Sequence, residues 1–300
     1  MGYVGRFAPS PTGPLHFGSL VAALASYLDA RAHDGKWLVR IEDVDETRCN
    51  AAHSADILRS LQAFGLQWDG EIEIQSARKA LYDGAFQKLC SSGLTYACAC
   101  SRKEIADSAL AGLEGLVYPG TCRSAGIDEN NHAIRVRTSS EIISFSDLVQ
   151  GKTAQCIELE IGDFVLRRRD GLFAYQLAVV TDDAEQGVTH VVRGADLLDS
   201  TARQIYLQRL LGYPTPQYLH IPVALNELGQ KLSKQTLAPA LSTSTHATHG
   251  VMLAALRFLG QPTANVEKAL PIGEILASAV QNWSRGSIPR GRTKAVSPAS

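Results

Sequence analysis

The chain of 300 residues carries 29 Lys and Arg against 30 Asp and Glu, a net charge of −1 with histidine neutral, and 45% of it is hydrophobic. That length and apolar content allow a large core and more than one domain, while near-neutrality excludes a globally basic nucleic-acid binder and leaves room for a local basic face. No apolar run approaches the ~20 residues that span a bilayer, and "MGYVGRFAPS" lacks a basic segment followed by an apolar stretch, so a cytoplasmic protein with no signal peptide and no membrane partner is expected.

"YVGRFAP" alternates as a first strand, and Leu20, Ala23, Leu24, Tyr27 and Leu28 fall at helical spacing within Leu15–Ala32. Between them "PSPTGPLHFGSL" is a tight loop entering a helix, where free backbone N–H groups and the positive dipole end suit an anion such as a triphosphate. Gly18 leaves room for a flat base beside the backbone, and His16 can donate to phosphate oxygens. "KWLVRIEDVDETR" reads as a second buried strand ending in carboxylates, followed by a helix through "SADILRSLQAFG" that stops at Gly65. Strands alternating with helices predict a parallel α/β sheet with its ligands at the carboxyl ends of the strands.

From Leu94 to Glu160 the rhythm breaks into an insertion, with a short helix near Ser101–Ala109 and strand-like "HAIRVR" and "CIELEI". Cys98-x-Cys100 followed by Tyr118-x3-Cys122 looks like a metal site: three thiolates favour zinc, which wants four ligands, and chemistry alone leaves Tyr118, His132 or water open as the fourth. Cys49, Cys90 and Cys156 have no partners at ligand spacing and read as small buried apolar residues. The α/β pattern resumes in "DFVLRRRDGLFAYQLAVVTDD", where Asp170-Gly171 signals a turn, and continues through "VTHVVRGADLL", a helix over Ser200–Leu211 and "YLHIPVAL". Arg167–Arg169, with Arg123, Arg135 and Arg137, read first as solvated charge and second as contacts to RNA phosphates, whose binding would weaken steeply with salt.

"GQKLSKQ" then sets Lys231 and Lys234 three residues apart in a polar loop. The stretches "HGVMLAALRFLG" and "IGEILASAVQNW" are helical in pattern, and "RGSIPRGRTKAVSPAS" has the Gly, Pro, Ser and basic composition of a disordered tail.

The pair "P-x-P-T-G-x-x-H-x-G" and "K-L-S-K" resembles the two signature motifs of class I aminoacyl-tRNA synthetases. "RFAPSPTG" (Arg6 to Gly13), "RIEDVDETR" (Arg40 to Arg48) and "VVRGADLL" (Val191 to Leu198) resemble their glutamate- and glutamine-activating branch across most of residues 1–240. The resemblance implies a Rossmann-type parallel sheet with an inserted zinc-containing α+β subdomain and a small C-terminal helical region. It divides the chain into residues 1–93 and 161–240 as halves of the catalytic domain, 94–160 as the insertion, 241–285 as the helical region and 286–300 as the disordered tail. It also implies that Arg6, Ser10, Glu42, Tyr175 and Arg193 bind glutamate, and that His16, Gly18, Lys231 and Lys234 bind ATP with Mg2+, His16, Gly18 and Lys234 being catalytic. Glutamate needs cations for two carboxylates and an acceptor for its ammonium, which arginines and Glu42 can supply. The bland alternatives are Glu42 as a solvated strand end, Tyr175 as core and Arg193 paired with Asp196.

Three features depart from enzymes that charge tRNA(Glu). Only 65 residues follow Gln235, too few for an anticodon-reading domain, and Val179 stands where those enzymes carry asparagine. "LHFGSL" and "KLSKQTLAPAL" resemble instead a short paralogous family that esterifies glutamate to the cyclopentenediol of queuosine at the wobble position of tRNA(Asp). That second resemblance implies a monomeric cytoplasmic ligase acting on ATP, L-glutamate and queuosine-bearing tRNA(Asp), with one structural Zn2+ on Cys98, Cys100, Tyr118 and Cys122. The rival expectations are a truncated enzyme charging the 3′ end of tRNA(Glu) and a non-catalytic tRNA-binding paralogue.

Overall fold

The computed structural model describes residues 2–108, 110–112, 115–226, 228–232, 241, 245–263 and 270–296. Strand β1 (Val4–Phe7), helix α1 (Phe17–Arg31) and strand β2 (Lys36–Ile41) form the first crossover, with β1 and β2 parallel from Val4↔Lys36 to Phe7↔Val39. Parallel neighbours need such a helical connection. The helix starts two residues later than the apolar pattern suggests because His16 caps it: its Nδ1 accepts the Ser19 N–H at 3.2 Å. After α2 (Ala51–Ala63), β3 (Glu73–Ile74) joins β2 in parallel, and α3 (Lys79–Ser91) follows.

The next stretch is antiparallel. It runs through β4 (Thr95–Cys98), α4 (Arg102–Ser108), β5 (Leu110–Gly112), β6 (Gly115–Val117), β7 (Ala133–Val136), β8 (Ile142–Asp147), β9 (Gly151–Cys156), α5 (Ile157–Glu160) and β10 (Val165–Arg167). The pairs are β4 with β7, β7 with β10, β5 with β6, and β8 with β9. "CIELEI", expected as strand-like, instead ends β9 and turns into α5, because the Glu160 carboxylate accepts the Cys156 N–H at 2.6 Å and caps the turn. The β8–β9 hairpin turns at Asp147, whose Oδ1 accepts the N–H groups of Val149 and Gln150.

Parallel structure returns with α6 (Tyr175–Glu185), β11 (His190–Gly194), α7 (Leu198–Leu211) and β12 (Gln217–Ile221), in which β11 and β12 are parallel. Thr189 ties β11 to β1, its N–H donating to the Val4 carbonyl and its Oγ1 accepting the Val4 N–H, each at 2.9 Å. Then come β13 (Val223–Leu225), α8 (Thr245–Phe258), α9 (Ile272–Gln281) and β14 (Thr293–Ala295). One core packs α1 and β2 against α8 and α9 through Leu20, Leu24, Trp37, Leu256 and Ile275; another joins α3, α6, α7 and the antiparallel strands through Phe86, Ile134, Leu177 and Leu207.

The last residues correct the sequence reading. Of the tail expected over 286–300, residues 297–300 lie outside the described residues, and 286–296 include β14, which pairs in parallel with β13 from Val223↔Thr293 to Leu225↔Ala295. Arg292 grips Asp199 with both Nη atoms at 2.6 and 2.7 Å, and Arg285, just before the tail, grips fully buried Asp29 at 2.6 and 2.9 Å. Basic composition signals disorder only while the cations lack fixed partners; here carboxylates and an open strand edge await them. Cys49, Cys90 and Cys156 are partly exposed, not buried. Among the described residues no helix is long and apolar enough to cross a membrane.

Candidate functional site

A cavity of about 420 Å³ opens where α1 begins and where β1, β2 and β11 end, and its lining includes Arg6, Ser10, His16, Gly18, Glu42, Tyr175, Arg193 and Lys231. These are the residues expected from sequence for glutamate and ATP, save Lys234, which lies outside the described residues. The Pro9 carbonyl accepts the Glu42 N–H at 3.0 Å, so the entry loop is pinned to the end of β2. A Cβ on Gly18 would come within 3.1 Å of the Leu232 carbonyl oxygen and 3.3 Å of the His16 ring, so glycine lets the late loop and the early histidine close on the helix start. Lys231 Nζ donates to Asp196 at 2.5 Å.

Below this opening lies a buried charge cluster. Asp183, on the last turns of α6, takes Arg6 Nε and Nη2 side-on at 3.2 and 3.1 Å and also accepts Arg40 Nη2 at 2.8 Å. Arg40 is fully buried and donates to Glu42 Oε1 at 3.0 Å as well. Glu42 is therefore no solvated strand end. Burial pushes its carboxyl above the usual range against the pull of Arg40 and Arg6. Asp183 goes the other way: burial opposes ionisation, but Arg6 and Arg40 outweigh it and hold the carboxylate low. The Tyr175 phenol is pushed up to about 12, by burial and then by the charge of Glu42, which keeps it protonated. The bonds to Asp183 leave Arg6 Nη1 outside them.

Arg193 does not pair with Asp196. Its Nε donates to His220 Nε2 at 3.0 Å, Nη1 to Gln204 Oε1 at 2.8 Å, and Nη2 to Thr201 Oγ1 and the Leu197 carbonyl at 2.9 and 3.2 Å. Behind it, His220 Nδ1 meets Asp147 Oδ2 at 2.6 Å. Sequence reasoning passed over Arg40, Asp183, His220 and Asp147. Arg40 near the end of β2 and Glu42 just past it, two apart in extended chain, share a face, which was a usable signal; the other three have none in their local pattern.

The second cluster lies in the antiparallel stretch. The Sγ atoms of Cys98, Cys100 and Cys122 lie within 4.8 Å of one another. Tyr118 Oη is 3.4 Å from Cys98 Sγ and 3.6 Å from Cys100 Sγ, and accepts the Cys122 N–H at 2.9 Å. Four donor atoms thus converge, three of them soft sulfurs, the composition that suits tetrahedral zinc. His132 turns its Nδ1 to the Asp128 carbonyl at 2.8 Å instead. The neighbouring arginines knit this region together from within. Arg123 reaches Glu158 and Asp163, Arg135 donates to the Asp163 carbonyl and lies 3.9 Å over the Tyr118 ring, and Arg137 donates to the Arg123 carbonyl. Arg167 sits 4.5 Å over Phe86, Arg168 pairs with Asp170, and Arg169 is exposed.

Residues 3–277 match the family described as tRNA synthetases class I (E and Q), catalytic domain. A protein of Dechloromonas aromatica (strain RCB) named glutamyl-Q tRNA(Asp) synthetase is 55% identical over 294 residues, 96% of either chain. One of the same name from Neisseria meningitidis serogroup B (strain ATCC BAA-335 / MC58) is 51% identical over 292 residues, 96% of this chain and 98% of that one. Among solved structures, a glutamate tRNA ligase from Elizabethkingia meningosepticum CCUG26117, in complex with its amino acid, superposes with a TM-score of 0.81 at 23% identity, over 99% of this chain and 67% of that one.

Proposed function

The chain belongs to the glutamate and glutamine branch of the class I tRNA synthetases, and from that premise we propose that it activates L-glutamate with ATP and esterifies it to the cyclopentenediol of queuosine in tRNA(Asp). In the first step an oxygen of the glutamate α-carboxylate attacks the α-phosphorus of ATP and pyrophosphate leaves, giving glutamyl-adenylate. In the second a cyclopentenediol hydroxyl attacks the acyl carbon, its proton passing to a phosphate oxygen of the departing AMP, which leaves with the bonding pair. Neither step needs a covalent link to the protein, so positioning and electrostatic stabilisation carry the rate. The observation that supports this best is the meeting of cations, an acidic acceptor and a helix start in one cavity. Arg6 and Arg193 hold the carboxylates, Glu42 accepts the ammonium with Ser10 and Tyr175 beside it, and His16, Gly18, Lys231 and Lys234 receive ATP with its Mg2+. An arriving ammonium also favours ionised Glu42, offsetting the burial that raises its carboxyl.

Cys98, Cys100, Cys122 and Tyr118 would hold one zinc ion, whose contribution is structural: it would tie the end of β4 to the loops that carry Cys100, Tyr118 and Cys122. The protein works as a monomer in the cytoplasm, where its tRNA is found. The test is incorporation of radiolabelled glutamate into tRNA(Asp) with and without queuosine, beside tRNA(Glu), in ATP and Mg2+. Label confined to queuosine-bearing tRNA(Asp) is the expected result. Equal label on tRNA(Asp) lacking queuosine, or label on tRNA(Glu), would overturn the assignment.

A further inference from the structure

His220 in β12 is fully buried, and Asp147 at the tip of the β8–β9 hairpin is 5% exposed. Neither lines the cavity. Arg193 Nε–H can only donate, so His220 Nε2 accepts, and the imidazole proton resides on Nδ1, facing Asp147 Oδ2. The carboxylate is itself fixed, since Asp147 Oδ1 accepts the N–H groups of His220, Val149 and Gln150 at 3.2, 3.0 and 2.8 Å. The hairpin tip is fastened to β12 besides: Leu148 N–H donates to the Tyr218 carbonyl at 2.9 Å and Gln150 Nε2 to the His220 carbonyl at 2.8 Å. With one Nε, one Nη1 and two Nη2 hydrogens engaged, Arg193 has four of its five hydrogens held, and one Nη1 hydrogen remains for a ligand.

We propose that Asp147 and His220 are positioning residues for Arg193, the carboxylate selecting the imidazole tautomer and the tautomer fixing the guanidinium against the glutamate carboxylate it binds. A buried polar chain of this kind costs desolvation that apolar residues in the same strand would avoid, and its return is geometric. The proposal rests on the reading of Arg193 as a glutamate ligand. It also makes the hairpin of the antiparallel stretch part of the amino-acid pocket, although no hairpin residue enters the cavity.

The test is ATP–pyrophosphate exchange by the full chain, with KM measured separately for glutamate and ATP. In Asp147→Asn the amide oxygen keeps the three backbone N–H groups, so Nδ2 faces His220 Nδ1 and drives the proton to Nε2, setting N–H against the Arg193 N–H. The expected result is a glutamate KM raised about tenfold or more, with the ATP KM within about twofold. His220→Gln supplies an acceptor to Arg193 and a donor to Asp147, and should hold the glutamate KM within about threefold, whereas His220→Leu should raise it as Asp147→Asn does. A merely structural role would move both KM values, kcat and the melting temperature together and would show no rescue by glutamine. A wild-type glutamate KM in Asp147→Asn overturns the proposal while leaving the glutamate reading intact if Arg193→Lys raises that KM. An unchanged glutamate KM in Arg193→Lys overturns the reading and the proposal with it. Should Asp147→Asn fail to fold, the 15N spectrum of His220 in the unsubstituted protein decides: a protonated Nδ1 supports the proposal, and a protonated Nε2 with bare Nδ1 overturns it.

Discussion

Replacing Asp183 with Asn tests whether the buried cluster is a clamp or a loose set of charges. Asp183 is 6% exposed and receives three hydrogen bonds from two guanidinium groups, Arg6 at 3.2 and 3.1 Å and Arg40 at 2.8 Å. Asparagine keeps the volume but has one acceptor oxygen. In either orientation its NH2 confronts an arginine N–H; Arg6 is left with Glu42 as its near anion, and Arg40 with Glu42 at 3.0 Å and Asp182 at 3.6 Å. Removing one partner of a buried ion pair costs about 3–5 kcal/mol because the remaining charge stays desolvated. That is a large part of the 5–15 kcal/mol typical of a folded domain. Urea unfolding of Asp183→Asn should show that loss with an unchanged m value, while Arg59→Ala, which breaks the exposed Arg59–Asp56 pair at 2.9 Å, should cost under about 0.5 kcal/mol. Glutamate KM should rise as well, since Arg6 loses the side-on contact that aims it. A loss below about 1 kcal/mol for Asp183→Asn would refute the clamp, because desolvated cations cannot be so cheaply orphaned.

Protein purified without chelator should carry about one zinc per chain, and Cys122→Ser should lose most of it along with cooperative melting of the antiparallel stretch; metal analysis finding none in the parent protein would remove the assignment. Deleting residues 291–300 takes away β14 and the Arg292 grip on Asp199, so protease should cut the chain after β13 faster and the melting temperature should fall; an unchanged cleavage rate would count against a bracing role. Stability should also depend on His220, which burial foremost, with the nearby Arg193 charge, lowers from 6.5 to about 4. The unfolded chain then binds the extra proton between those values, so stability rises with pH across that window and is lost on acidification, by roughly 3 kcal/mol for this one group. Asp147, held below its usual range, adds a further loss beneath about pH 4. Comparing unfolding of the parent and His220→Gln at pH 4 and 7 isolates the histidine, and equal pH dependence in both would show that it is not buried neutral.

The crossover elements are legible in sequence because helical and strand periodicities are local, and so is the loop that feeds α1, where prolines, glycine and a capping histidine follow one another. What escapes is pairing across the chain. Arg6 meets Asp183 over 177 positions and Arg40 meets it over 143, and nothing in the otherwise apolar pattern of "YQLAVVTDD" says that its last carboxylate points inward. Composition misleads in the same way at 286–296, where arginines read as solvated only because Asp199 stands 93 positions from Arg292. Arg193 is the sharpest instance. Asp196, three residues away, is the partner that proximity suggests, yet Asp196 follows the end of β11 and turns to Lys231, while Arg193 points into the sheet's own layer and finds a histidine on the neighbouring strand. Parallel pairing places Arg193 opposite His220, so the register of two strands, which no local pattern encodes, decides how one cation lining the cavity is held.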